Sequence, residues 1–152
     1  MEPRMNHPVM VVRGAMDALQ GLSSAAGETG VPFATLKMVE LRASQINGCS
    51  FCVEMHSREL RKAGESEERI ATVAAWREAT WFSDAERAAL ALTEAVTRIA
   101  DRPESITDAI WADAAEHYDE KQLSGLLLDI GAINIWNRLN AATRQPAGSY
   151  PT

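Results

Sequence analysis

The chain has 152 residues, a net charge of −6, 46% hydrophobic and 24% charged residues. This length bounds one domain, residues 1–152, with its own core. An acidic balance without a basic cluster excludes a nucleic-acid surface, and no apolar run reaches bilayer length, which excludes a membrane span.

The N-terminal apolar patch, Val9 to Val12, stops at Arg13, too short for a signal peptide, so a cytoplasmic protein is expected. The pattern then reads helix after helix. Val9 to Leu22 forms an amphipathic stretch, and Gly21 to Gly27 reads as a loop by composition. A second helix starts near Pro32. It carries Phe33, Leu36, Val39 and Leu41 and stops at the turn pair Asn47-Gly48. A third runs from about Cys49 to Gly64. Ser66 opens a fourth, through Ile70, Val73 and Trp76. Ser83-Asp84-Ala85-Glu86 is a capping box for a fifth, with Ala88, Leu92, Ala95, Val96 and Ile99 on its apolar face. Asp101-Arg102-Pro103 breaks it. Thr107 caps a sixth, and Asp119 with Gln122 opens a long last helix through Trp136. The tail after Thr143 is expected to be extended or disordered unless a neighbouring subunit orders it. No strand alternation appears. The fold class is all-α, with six to seven helices.

Both cysteines lie in one short segment, Cys49-Ser50-Phe51-Cys52, with His56 four residues on. On a helix these three fall at i, i+3 and i+7, within an arc of roughly 60°. Asn47-Gly48 puts Cys49 at a helix start, where orphan amides and the macrodipole favour a thiolate. A low-pKa, accessible thiolate attacks a peroxide oxygen, and a second thiol one turn away closes a disulfide on the sulfenic acid. His56 can take the Cys52 proton or stabilise its thiolate. Two other readings stand beside this one. The cysteines can simply pack in a core, or Cys49, Cys52 and His56 can hold zinc, completed by His117 or an acid.

The string from Glu40 to His56, Glu-Leu-Arg-Ala-Ser-Gln-Ile-Asn-Gly-Cys-Ser-Phe-Cys-Val-Glu-Met-His, resembles the signature of the carboxymuconolactone decarboxylase superfamily on its AhpD-like alkylhydroperoxidase branch. The likeness continues through Ala74 to Glu78, Phe82 to Ala95 and Ile133 to Arg138, so the motif-bearing core spans about 36–144, followed by a tail at 144–152. It implies an all-helical subunit assembled as a homotrimer or homohexamer, without a cofactor or a resident metal. It implies a peroxidase acting on a hydroperoxide, with its dithiol regenerated by a thiol or a lipoyl-type reductant. By analogy, Cys52 attacks the peroxide, Cys49 resolves the sulfenic acid and His56 belongs to a proton relay. The helix-start argument instead assigns the thiolate to Cys49.

Two positions depart from the characterised peroxidases. Their relay glutamate, twelve residues before the first cysteine, is Lys37 here, with Glu40 one turn later as the replacement or as a solvated acid. Their histidine before the second cysteine is Phe51. Proton transfer contributes roughly 10²–10⁴-fold to such steps, so these departures predict a weaker peroxidase. The superfamily's lactone decarboxylation, which does not depend on a dithiol, and a non-catalytic redox-sensing oligomer are the alternatives.

The remaining candidates read as structural. Trp111 and Trp136 are expected in the core or at a subunit contact. Gln45 and Asn47 are expected to hydrogen-bond across the turn, and Asn134, Asn137 and Arg138 to line a pocket or face a partner. His7 and His117 are read as surface, and Glu54 turns away from the cysteine face.

Overall fold

A computed structural model describes residues 2–148. Among these, eight α-helices and one 3₁₀ segment occur and no strand. The helices are α1 Pro8–Val11, α2 Ala15–Gly27, α3 Phe33–Asn47 and α4 Ser50–Lys62, then α5 Glu67–Thr72, α6 Asp84–Thr97, α7 Asp108–His117 and α8 Glu120–Thr143. The 3₁₀ segment, Val73–Glu78, follows α5 directly. Among the described residues, no helix is long and apolar enough to cross a membrane.

Helix α3 is the centre. It packs on α4, α6 and α8 and buries residues all round, among them Leu36, Met38, Val39, Leu41 and Ala43. Two apolar clusters flank it. Leu36 and Val39 join Leu92, Leu126 and Ile130 of α6 and α8. Met38 and Leu41 join Leu60, Val73, Trp76 and Leu90. The predicted caps close as the chemistry requires: Ser83 with Glu86 and Asp119 with Gln122 form full capping boxes.

The structure corrects four local expectations. Gly14 adopts φ 80°, so the first apolar stretch splits into α1 and α2. The glycine-serine run from Gly21 is no loop but the second half of α2, held by packing on α8. The helix opened by Ser66 tightens to 3₁₀ after Thr72, with Ala75 at non-helical angles. Helix α6 ends at Thr97, which leaves Ile99 exposed. The tail differs as well. The Gln145 amide bonds the Asn140 carbonyl, while the Ala147 and Gly148 amides donate to Ser50 Oγ and Glu54 of α4. The chain itself therefore orders the tail as far as Gly148, and 149–152 lie outside the described residues.

Gly125 sets the approach of α8 to the end of α2, because a Cβ there would lie 2.0 Å from Thr29 Oγ1. Gly21, inside α2, meets nothing within 4 Å. Gly125→Ala should destabilise by about 1–3 kcal/mol through overpacking, whereas Gly21→Ala should stabilise by roughly 1 kcal/mol through helix propensity. Urea unfolding midpoints of the two variants check both signs.

Candidate redox site

The corner between α3 and α4 builds the cysteine site. Gly48 takes φ 67°, and the Cys49 amide bonds the Ser44 carbonyl at 3.0 Å. Cys49 is then the N-cap of α4: its Sγ accepts from the Cys52 amide at 3.3 Å. Both cysteines are buried and unbridged. Asn140, reaching over from α8, donates its Nδ2 to Cys52 Sγ at 3.1 Å and lies 3.7 Å from Cys49 Sγ.

These contacts divide one negative charge unequally. The Cys52 thiol donates to Cys49, and although burial opposes ionisation, the Cys52 amide and the α8 asparagines add to the effect and bring Cys49 down to about 6. Cys52 moves the other way, since it supplies that hydrogen bond, is buried and sits against the Cys49 charge. The contacts thus favour the thiolate on Cys49 and the proton on Cys52.

Access divides them too. A cavity of about 520 Å³ opens on Cys52 and not on Cys49. Its apolar wall includes Val9, Met16, Phe51, Met55, Ile133 and Trp136, and its polar wall Lys37, Glu40, His56 and Glu59. His7 belongs to this wall, with its ring 5.6 Å from Trp136, so it is not a surface residue. Trp136 packs on the core cluster of Ala43, Cys49, Cys52 and Ile133, as expected, and also lines the cavity, whereas Trp111 is exposed.

The polar wall is a charge network. His56 Nδ1 lies 2.9 Å from Glu59 Oε2 and 3.2 Å from Glu40 Oε2. Two carboxylates facing Nδ1 place a proton there, so the free position of the ring is Nε2. That Nε2 is buried without a hydrogen-bond partner, on a side chain that lines the cavity with Cys52. Lys37 Nζ lies 2.6 Å from Glu40 and 3.7 Å from Glu59. Burial works against its charge, but the two glutamates outweigh burial and raise its pKa. Glu59 is pulled below its usual range despite burial, by His56 and Lys37.

Glu40, expected either as a relay acid or as a solvated one, is buried beside His56. Glu40, His56 and Glu59 place three donor atoms within 4.8 Å of one another, among the described residues. The cation in their midst is the Lys37 ammonium. Cys49, Cys52 and His56 form no such set, and His117 is exposed on α7.

The sequence pattern missed Glu59, one turn after His56, and Asn140, one turn after Asn137. Helical spacing was the available signal in both cases. Asn47 does not bridge the turn. It donates to Asn134 and Asn137 of α8, and Asn137 donates to Ser44 Oγ at 3.0 Å. These asparagines clamp α8 to the cysteine corner and do not line the cavity. Glu54 turns away, paired with Arg58 at 2.7 Å.

The fold is that of a family, and comparison identifies it. The Carboxymuconolactone decarboxylase family model matches residues 13–95. YdfG of Bacillus subtilis, an uncharacterized protein, is 35% identical over 149 residues, covering 98% of this chain and 99% of its own. YnjA of Escherichia coli, also uncharacterized, is 34% identical over 110 residues, 72% of this chain and 59% of its own. The chain belongs to the carboxymuconolactone decarboxylase family. Among solved structures, a protein of unknown function from Agrobacterium tumefaciens, described as a candidate antioxidant-defence protein AhpD, superposes with TM-score 0.89. It is 32% identical and covers 98% of this chain and 100% of its own. The debrominase Bmp8 (TM-score 0.77, 20% identity, 89% of this chain and 71% of its own) shares the fold. Helix α8, with Asn140, lies outside the stretch that the family model matches.

The thiolate assignment is measurable. Ultraviolet thiolate absorbance of the reduced protein should titrate near pH 6, and Asn140→Ala should move the midpoint up, because a donor to the anion is lost. A midpoint at the ordinary thiol value of 9.0 in the wild type would refute it.

Proposed function

We propose that the protein is a cysteine-dependent peroxidase that reduces organic hydroperoxides through a Cys49–Cys52 dithiol–disulfide cycle. One observation carries this reading: Cys52 faces an apolar cavity while an acidic Cys49 stands behind it within reach of the same asparagine amide. The antioxidant description of the Agrobacterium relative agrees with it.

Cys52 loses its proton to Cys49 or to His56 Nε2 and attacks the outer peroxide oxygen. The S–O bond forms, the O–O bond breaks, and the alkoxide leaves with the proton as an alcohol. Cys49 then attacks the Cys52 sulfenic sulfur. The S–S bond forms, and the oxygen leaves as water. Overall, the thiol–thiolate pair, the hydroperoxide and one further proton become disulfide, alcohol and water. A small thiol or a lipoyl-type dithiol returns the pair to the reduced state. The apolar wall admits an organic group, and the Lys37–Glu40–His56–Glu59 network takes the place of the relay glutamate missing at position 37. The subunits assemble as a homotrimer or homohexamer, for which exposed Leu128 and Ile135 on α8 offer an apolar contact.

Brief exposure of the reduced protein to cumene hydroperoxide should lower its intact mass by two hydrogens. Cys52→Ser should abolish peroxide turnover, while Cys49→Ser should stop at a sulfenic acid trappable with dimedone. Undiminished turnover in Cys52→Ser would sink the reading.

A further inference from the structure

The site holds one buried acid that the scheme above does not use. Asp129 of α8 is 3% exposed, and its Oδ2 has no hydrogen-bond donor. Its neighbour is the Glu40 carboxyl, close enough to share a hydrogen bond. Two buried carboxylates face to face repel each other and leave acceptors unsatisfied, unless one of them carries a proton. Lys37, on the same helix as Glu40, is the cation that acts on Asp129, and it opposes the effect. His56 of α4 stands beside Glu40, and Glu59 of α4 beside Lys37.

Proton balance gives that proton a use. The resting pair holds one thiol proton, since Cys49 is a thiolate, and the first step spends it on the alkoxide. When Cys49 then displaces oxygen from the Cys52 sulfenic acid, a hydroxide leaves and needs one proton to become water. Neither sulfur has one to give.

On the peroxidase reading above, we propose that Asp129 stores that proton and passes it through Glu40, whose carboxyl lines the cavity with Cys52, to the oxygen leaving Cys52 in the disulfide-forming step. Asp129 thus acts through Glu40 as a positioning residue. It is neutral before the step and ionised after it, and it regains its proton when the disulfide is reduced. Burial, then the Glu40 charge, pushes Asp129 up to about 8, which keeps it loaded at neutral pH. Lys37 is suited to this arrangement: its ammonium also acts on Asp129 and favours the anion left as the proton departs.

The test uses the full chain and Asp129→Asn, which keeps the shape and can donate to Glu40 but carries no transferable acid. In the infrared, the wild type should show a protonated-carboxyl stretch at pH 7 that fades as pH rises through about 8 and is missing from Asp129→Asn. In single turnovers with cumene hydroperoxide, Asp129→Asn should form the sulfenic acid at the wild-type rate. It should close the disulfide on the order of 10²-fold more slowly, so that dimedone traps the intermediate. The wild-type closure rate should fall above pH 8, and the variant's should lack that limb. Absence of the carboxyl band, which needs no variant to observe, overturns the proposal. So does wild-type closure in Asp129→Asn. A wild type that forms no disulfide at all sinks the peroxidase reading and this one together, whereas normal disulfide formation in both proteins sinks this one alone.

Discussion

The site depends on one contact, the Cys52 amide donating to Cys49 Sγ at the start of α4. A cysteine stands where serine, threonine or aspartate would ordinarily cap a helix. The cap favours an anion on sulfur and adds to the hydrogen bond from the Cys52 thiol, so the interaction that starts the helix also makes Cys49 more acidic. Cys52, one turn on, receives the opposite treatment. It keeps its proton and its face to the cavity. Acidity and access are thus assigned to different sulfurs of one pair. The helix-start argument and the family analogy are therefore compatible, because one concerns the more acidic sulfur and the other the accessible one.

Around that pair the protein arranges charge in a buried, compensated set. A lysine in place of a relay glutamate would disable the site if it stood alone. Here Lys37 faces Glu40 and Glu59, and both carboxylates also reach His56 Nδ1. A buried charge is tolerated only when it is paired. The cation gathers two acids on one side of the imidazole and frees the other side for chemistry. Asp129 extends the set from α8, so the acids and the base come from three helices that meet around α3.

Where sequence patterns misled, tertiary packing had overridden a local preference. Glycine and serine lower helix propensity from Gly21 to Gly27, yet packing on α8 keeps the segment helical. Gly14 lies inside an apolar run that reads as continuous, and its positive φ breaks that run. His7 looks isolated because its partner, Trp136, is more than a hundred residues away, and the N-terminal segment that carries it becomes a wall of the cavity.

The sequence by itself determined the helical class, the capping boxes, the Asn47-Gly48 corner and the one-turn spacings from Cys49 to Cys52 and from Cys52 to His56. All of these are local, encoded in spacings of three to seven residues that a single helix converts directly into geometry. Only the tertiary structure decided that Glu40 is buried beside His56, that Asn140 reaches both sulfurs, and that Asp129 meets Glu40. Those contacts join residues about fifteen to ninety positions apart. No helical period relates them, and only the way α4 and α8 pack against α3 brings their side chains together.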